Sequence, residues 1–479
     1  MSLYDERLCL SRRFQLVQRS FLQRDGLPFA DVLSEEEMEQ AFAVEEATFA
    51  QDDDCVYTPP VTLLGFLSQV LHKGEQRSCL AAVSCIAVLL VGMGLNSCSK
   101  KSGAYCKARA KLPEPVLRRL TTDLANGCET EVPTDWLWRG RHVKLVDGTT
   151  VTMPDTEANE AEYPKQSGHE EGLGFPIARM VVVFSLATAM LCDMAMGPYS
   201  GKETGETALL RELLPRLDSR DILLLDRLYC SYFMIGMVLL GKGDFVARLH
   251  QSRKVDYKKT KRLGAGDCLI TWTRPDKPTW MDNATYEQIA ETITVRMVEV
   301  QVNEPGFRTE SFLVVTTLLD HKAYPKAEIA DLYRKRWLVE LDIRAIKISL
   351  GMDVLRCKSP EMVRKEIWTC LLAYNLIRKT MLQAARATDL SPRELSFTNA
   401  IQTIAASLGS LPLLDADTSD RLIESQLASL TEQLVGRRPN RVEPRAVKRR
   451  PKPHRLLNMP RDEARALLNR GIDPYEKQK

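Results

Sequence analysis

Ile222-Leu223-Leu224-Leu225-Asp226 is a run of four aliphatic residues closed by a carboxylate. It reads as a short apolar strand whose last side chain escapes the packed core. A helical pattern precedes it, Thr204 to Leu217, and another of about a dozen residues follows it, Tyr229 to Leu240. Phe245–Leu249 then reads as a further short strand. Upstream, His142–Val146 alternates toward a strand that ends on Asp147-Gly148-Thr149, and Arg179–Ala187 and Met190–Met196 look like paired strands. Strands and helices alternating around a mostly covered sheet give an α/β fold.

Outward from this core, residues 1–135 read as a helical N-terminal domain. Ser34 and Glu37 have capping-box spacing, and Thr58-Pro59-Pro60 precedes a helix from Leu63 to His72. The apolar stretch from Leu80 to Leu95 is shorter than the about 20 residues that span a bilayer, and reads as a buried helix. The pattern changes near Trp136, and residues 136–385 form the core. A β-rich insertion interrupts it at about 251–320, where Cys268–Thr273, Thr292–Val302 and Ser311–Thr317 are rich in β-branched residues. Helix returns at about Lys326, runs past Lys347 and recurs at 360–385. Residues 386–479 are a helical C-terminal region, with helix at 418–435 and a basic tail at 437–455.

The 479 residues are 44% hydrophobic and 27% charged, as in ordinary globular proteins. The first residues, Met-Ser-Leu-Tyr-Asp-Glu-Arg, carry acids with no apolar run behind them, so a cytoplasmic protein without a secretory signal or membrane span is expected. Twelve cysteines form no Cys-x-x-Cys pair and none lies at zinc spacing from the six histidines, which suits reduced thiols packed as small hydrophobes. The net charge of +3 hides polarisation: eleven acids and no Lys or Arg from Asp25 to His72, nine basic residues and one acid from Arg437 to Arg455. That proline-interleaved tail suits an extended arm along phosphates, or simply a solvated tail.

Asp147 and Asp226 each close a short apolar strand, and strand ends are where open α/β sheets build ligand sites. An Asp there also serves as a turn or cap residue, so the pair needs a third partner. Tyr333-x-x-Arg336-x-x-x-Glu340-x-x-x-x-x-x-Lys347 offers one. At about 100° per residue, Tyr333, Arg336 and Lys347 fall at roughly +20°, −40° and −20° from Glu340, on one narrow face about 21 Å long. Leu338, Leu341 and Ala345 fall opposite and give the helix an apolar back. The same pattern describes a solvated face with an Arg336–Glu340 pair.

Asp147-Gly148-Thr149, the Leu224-Leu225-Asp226-Arg227 strand end and the complete Tyr-x₂-Arg-x₃-Glu-x₆-Lys spacing resemble the DDE transposases of insertion-sequence family four. Tyr57-Thr58-Pro59-Pro60 leading to Phe66-Leu67-Ser68-Gln69, Tyr105-Cys106-Lys107-Ala108-Arg109 and Lys448-Arg449-Arg450-Pro451-Lys452 extend the likeness over nearly the whole chain. Leu228 departs from it, standing where many members have Gly. The resemblance implies an RNase H-like core with a β insertion between the second Asp and the Glu, an N-terminal domain on the transposon ends, and a C-terminal region that assists assembly.

It also implies a mechanism. Asp147, Asp226 and Glu340 would hold two Mg²⁺ ions, for which Mn²⁺ substitutes, with Asp147 bridging. Arg336 and Lys347 would bind phosphates of double-stranded DNA, at the terminal inverted repeats and the target, and Tyr333 would donate a hydrogen bond to its backbone. Arg449 and Arg450 of the tail belong with these contacts. Relatives make a hairpin at the element's end and place a Trp near Phe312, so that ring is a candidate platform for an unstacked base, or an apolar strand residue. Two ends must be paired, so a homodimer is expected. The competing functions are an RNase H-like nuclease that does not join, and an idle relative that only binds DNA.

Overall fold

The computed structural model describes residues 14–24, 26–50, 55–94, 96–166, 174–253, 255–301, 311–436 and 459–474. The basic tail, with Arg449 and Arg450, lies outside them. After a short helix, Gln15–Ser20, the N-terminal helices are α1 (Glu35–Val44), α2 (Pro59–Leu71), α3 (Cys79–Gly92), α4 (Gly103–Lys111) and α5 (Glu114–Thr130). Ser34 and Glu37 form the expected reciprocal capping box at the start of α1. The apolar helix α3 departs from its reading as a buried element. Val83, Ile86 and Leu90 pack inward, but Leu80, Val88 and Val91 share an exposed face. A helix apolar all round carries no periodicity to tell its inner face from its outer one.

Nine strands make one sheet: β1 (Val143–Thr152), β2 (Ile177–Ser185), β3 (Leu191–Pro198), β4 (Ile222–Leu225), β5 (Asp244–Arg248), β6 (Lys261–Gly264), β7 (Asp267–Thr273), β8 (Thr292–Gln301) and β9 (Ser311–Thr316). Their order is β3-β2-β1-β4-β5-β9-β8-β7-β6. β1 runs parallel to β4 and β4 to β5, while every other neighbour is antiparallel. The β-rich stretch is therefore no separate sheet: β9 returns to pair with β5 and carries the sheet onward. It is also not purely β, since Asn283–Gln288 is a short helix.

The sheet's two faces are covered by different elements, as the unbroken aliphatic run of β4 requires. On one face Leu145 and Leu224 join a core shared with α2, α5 and the long helix Pro360–Arg386. On the other, Val146, Leu223 and Leu225 pack with α6 (Glu206–Leu213) and α7 (Tyr232–Leu240).

After β9 come α8 (Lys326–Arg334), a 3₁₀ turn (Lys335–Trp337), α9 (Leu338–Arg344) and a π turn (Ala345–Ser349), then α10 (Pro360–Arg386), α11 (Phe397–Ser407) and α12 (Ala416–Glu432). The helix expected from Lys326 past Lys347 is thus one helical path whose pitch tightens and then loosens. Its back also differs from the expected one. Ala345 is buried, but Leu341 is 43% exposed, and Asp342 is only 1% exposed. Asp342 lies two residues from Glu340 and so on the opposite side of the helix. It accepts from Arg378 at 3.1 Å and Arg393 at 3.0 Å. Arg393 donates in turn to the carbonyls of Ser185 and Leu186, at the end of β2. The buried carboxylate thereby ties α9 to α10 and to the sheet. Asp342→Ala would leave two largely buried guanidiniums without their counter-charge, at a cost of about 3–5 kcal/mol. Asp342→Asn, which keeps an acceptor oxygen, should cost clearly less, as measured by urea unfolding.

Candidate active site

The β1–β4 pairing stops at Leu145 opposite Leu224. Beyond that point β4 ends and β1 continues to Thr152, held only by β2. Asp147 therefore stands within a strand rather than at its end, but at the place where its parallel neighbour has stopped. Asp226 follows the last residue of β4 and opens a 3₁₀ turn, Arg227–Tyr229. Leu228 sits in that turn half out of solvent, with ordinary negative φ, so no Gly is required there.

Asp147 accepts from the Gly148 amide at 2.8 Å and lies 3.4 Å from Arg336. Burial pushes its carboxyl up to about 6; the Gly148 amide and Arg336 oppose the rise, and the charges of Asp226 and Glu206 add to it. Arg336 also donates to Glu340 at 3.0 Å, so one guanidinium bridges the first Asp and the Glu. Lys347 donates to the Thr150 carbonyl at 2.8 Å and to the Thr149 hydroxyl at 3.3 Å, and burial lowers its pKa. Tyr333 is buried, with its phenol pushed up by burial and near enough to Asp226 to feel its charge. All four helix residues are therefore gathered around β1 and Asp226.

Phe312 of β9 is half-buried, with its ring 5.4 Å from that of Tyr333 and the Arg248 guanidinium 5.0 Å above it. It borders a cleft of about 320 Å³ lined by Arg227, Arg248, His250, Arg253 and Tyr257. Arg248 and Arg253 escaped the sequence reading, although Arg248-Leu249-His250-Gln251-Ser252-Arg253 is a visible basic run after an apolar strand. Glu206 escaped it too, because nothing local marks a Glu that opens an amphipathic helix. Among the described residues, no three acidic, histidine or cysteine side chains close into a ready-made metal cage. Arg336 occupies the space between Asp147 and Glu340.

The transposase DDE domain family matches residues 138–376, which span β1, β4 and the Glu340 helix. The chain belongs to the DDE transposases of insertion-sequence family four. This transposase is 27% identical over 359 residues to the transposase InsG for insertion sequence element IS4 of Escherichia coli (strain K12), covering 73% of this chain and 76% of that one. It is 23% identical over 297 residues to the probable transposase for insertion sequence element IS5377 of Geobacillus stearothermophilus, covering 61% and 70%. A piggyBac transposase solved as a synaptic complex with hairpin DNA is 10% identical, with a TM-score of 0.40 over 90% of this chain and 87% of that one. As a transposase the chain binds DNA and is an enzyme of strand cleavage and transfer. No helix among the described residues is long and apolar enough to cross a membrane.

The raised Asp147 carboxyl sets a pH-dependent stability. Between the ordinary value of 3.8 and about 6 the unfolded chain releases this proton while the folded chain keeps it, so stability falls as pH rises through that window. Asp147→Asn removes the penalty and keeps an acceptor for Gly148. In buffer free of divalent cations it should stabilise the fold by about 1–3 kcal/mol at pH 7.5 and by nearly nothing at pH 4. Thermal melts at the two pH values measure the difference.

Proposed function

We propose that this transposase cuts at the terminal inverted repeats of its element and joins the freed 3′-OH ends to target DNA, by cut and paste, in a cytoplasmic homodimer that pairs the two ends. One observation carries the reading: Asp147 and Asp226 emerge side by side where the β1–β4 pairing stops, and Arg336 links Asp147 to Glu340. The order β3-β2-β1-β4-β5, antiparallel for the first three strands and parallel for the last two pairings, supports an RNase H-like core. On this reading the sheet extension is the insertion between the second Asp and the Glu. The core is then residues 136–385, with an end-binding domain at 1–135 and an assembly region at 386–479.

The donors suit hard divalent cations. They are all carboxylate oxygens, and Arg336 is their one ion-pair partner among the described residues, so three acids face a single cation. Two Mg²⁺ or Mn²⁺ ions held by Asp147, Asp226 and Glu340 would supply an activated oxygen nucleophile and a stabilised leaving oxygen. The protein's own groups do the rest. Arg336 turns from the two carboxylates to a DNA phosphate, and Lys347 holds the Thr149–Thr150 backbone beside the scissile strand. Tyr333 backs the Phe312 ring, which receives an unstacked terminal base while Arg248 and Arg253 follow the strand's phosphates. Arg449 and Arg450 add phosphate contacts from the tail.

Neutral variants test the reading. Asp147→Asn, Asp226→Asn and Glu340→Gln should each abolish cleavage of end DNA in Mg²⁺ yet bind that DNA nearly as before, because affinity rests on the basic side chains. Normal cleavage by any of them removes that residue from the site, and cleavage without strand-transfer products from the unaltered chain favours a nuclease. If the element leaves by a hairpin, on the same denaturing gels Phe312→Ala should nick normally and form hairpins roughly ten- to a hundredfold more slowly, as expected for about 1–3 kcal/mol of stacking per base. Hairpins at the normal rate would make Phe312 core packing.

A further inference from the structure

Gly148 has a neighbour that explains why no side chain stands there. A Cβ built on it would lie 2.1 Å from the carboxyl carbon of Glu206 and 2.4 Å from both its oxygens. Its φ is not positive, so the glycine is needed for space and not for backbone freedom. Strand alternation explains the direction of approach. Asp147 lies on the face of Leu145, and Gly148 on the face of Val146, where α6 packs. Glu206, the first residue of α6, thus presses its carboxylate against the backbone of the Asp-Gly-Thr segment from behind.

The carboxylate is held there without a counter-charge. Tyr229, fully buried on the same face and three residues after Asp226, donates its hydroxyl to Glu206 at 3.3 Å. Among the described residues no Lys or Arg pairs with Glu206, and the side chain is only half-buried. β4 has ended by this point, so no strand on that side of β1 separates Gly148 from Asp226. A half-buried carboxylate oriented by a neutral phenol, with no Lys or Arg paired to it among the described residues, keeps lone pairs available to a cation that shares the space.

We infer that Glu206 is a fourth carboxylate of the metal centre, reaching it from the far face of the sheet through the room left by Gly148. This rests on the reading of Asp147, Asp226 and Glu340 as that centre. Mg²⁺ keeps several of its waters, and an acceptor behind the strand can hold one of them. Glu206 is then a positioning residue that adds charge and a water acceptor, while Tyr229 fixes its orientation. Outer residues of this kind typically contribute 10–100-fold to metal affinity.

The test is Mn²⁺ binding to the full-length transposase with its end DNA, read as the free-Mn²⁺ signal in electron paramagnetic resonance, without any turnover. Glu206→Gln keeps an acceptor for Tyr229 and the same bulk. It should weaken Mn²⁺ binding about tenfold or more at an unchanged melting temperature. Asp226→Asn is the control for the centre itself. If Asp226→Asn loses Mn²⁺ and Glu206→Gln binds it as the unaltered chain does, Glu206 is only a structural partner of Tyr229 and the inference is overturned. If Asp226→Asn also binds normally, the centre is elsewhere and both readings fall. Should Glu206→Gln melt early, Glu206→Asp decides: the retained charge should recover most of the affinity, and failure to do so overturns the proposal.

Discussion

Asp342 holds two guanidiniums inside the protein, and the direction of the Glu340 helix follows from that anchorage. Arg393 reaches past Asp342 to the carbonyls of Ser185 and Leu186, and Arg378 belongs to the central helix α10. The carboxylate thereby joins three elements that would otherwise meet only through apolar packing, which slides more readily than a forked ion pair. Because Glu340 lies two residues away on the other side of the helix, it is turned toward Asp147. The π turn after α9 then brings Lys347 onto Thr149 and Thr150, fastening the helix to β1 at a second point. Buried charge on one side of the helix positions functional charge on the other.

The functional side carries its own cost. Burial raises the Asp147 carboxyl to about 6, the charges of Asp226 and Glu206 add to the rise, and the Gly148 amide and Arg336 only partly oppose it. Perturbed carboxylates of this kind gather where a protein keeps charge for chemistry rather than for stability. The long hydrophobic core around α10 and the second core around α6 and α7 absorb the difference.

Much of this was legible in the residues. Four aliphatics ending on Asp226 place β4 within its true bounds, and the Tyr-Arg-Glu-Lys spacing predicts a shared face that the structure gathers around β1 despite two changes of helical pitch. The 3₁₀ turn over-rotates and the π turn under-rotates, so ideal angles still give nearly the right answer. The rest depended on contacts distant in sequence. That Asp342, rather than Leu341, faces inward is decided by Arg378 and Arg393, 36 and 51 residues away. That β9 continues the core sheet is decided by its pairing with β5. That Gly148 must lack a side chain is decided by Glu206, 58 residues away, whose carboxylate fills the space a Cβ would need. The outer face of α3 was misread because a uniformly apolar helix gives no direction.

Direct binding of the metal ions by Asp147 and Asp226, as proposed, is open to a change of donor atom. A thiolate in place of a carboxylate keeps the charge but prefers softer metals. Asp147→Cys and Asp226→Cys, checked for folding and end binding, can be assayed for end cleavage in Mg²⁺ and then in Mn²⁺ or Cd²⁺. The account predicts no cleavage in Mg²⁺ and recovery with the softer ion. Cleavage by Asp226→Cys in Mg²⁺ at the rate of the unaltered chain would contradict it.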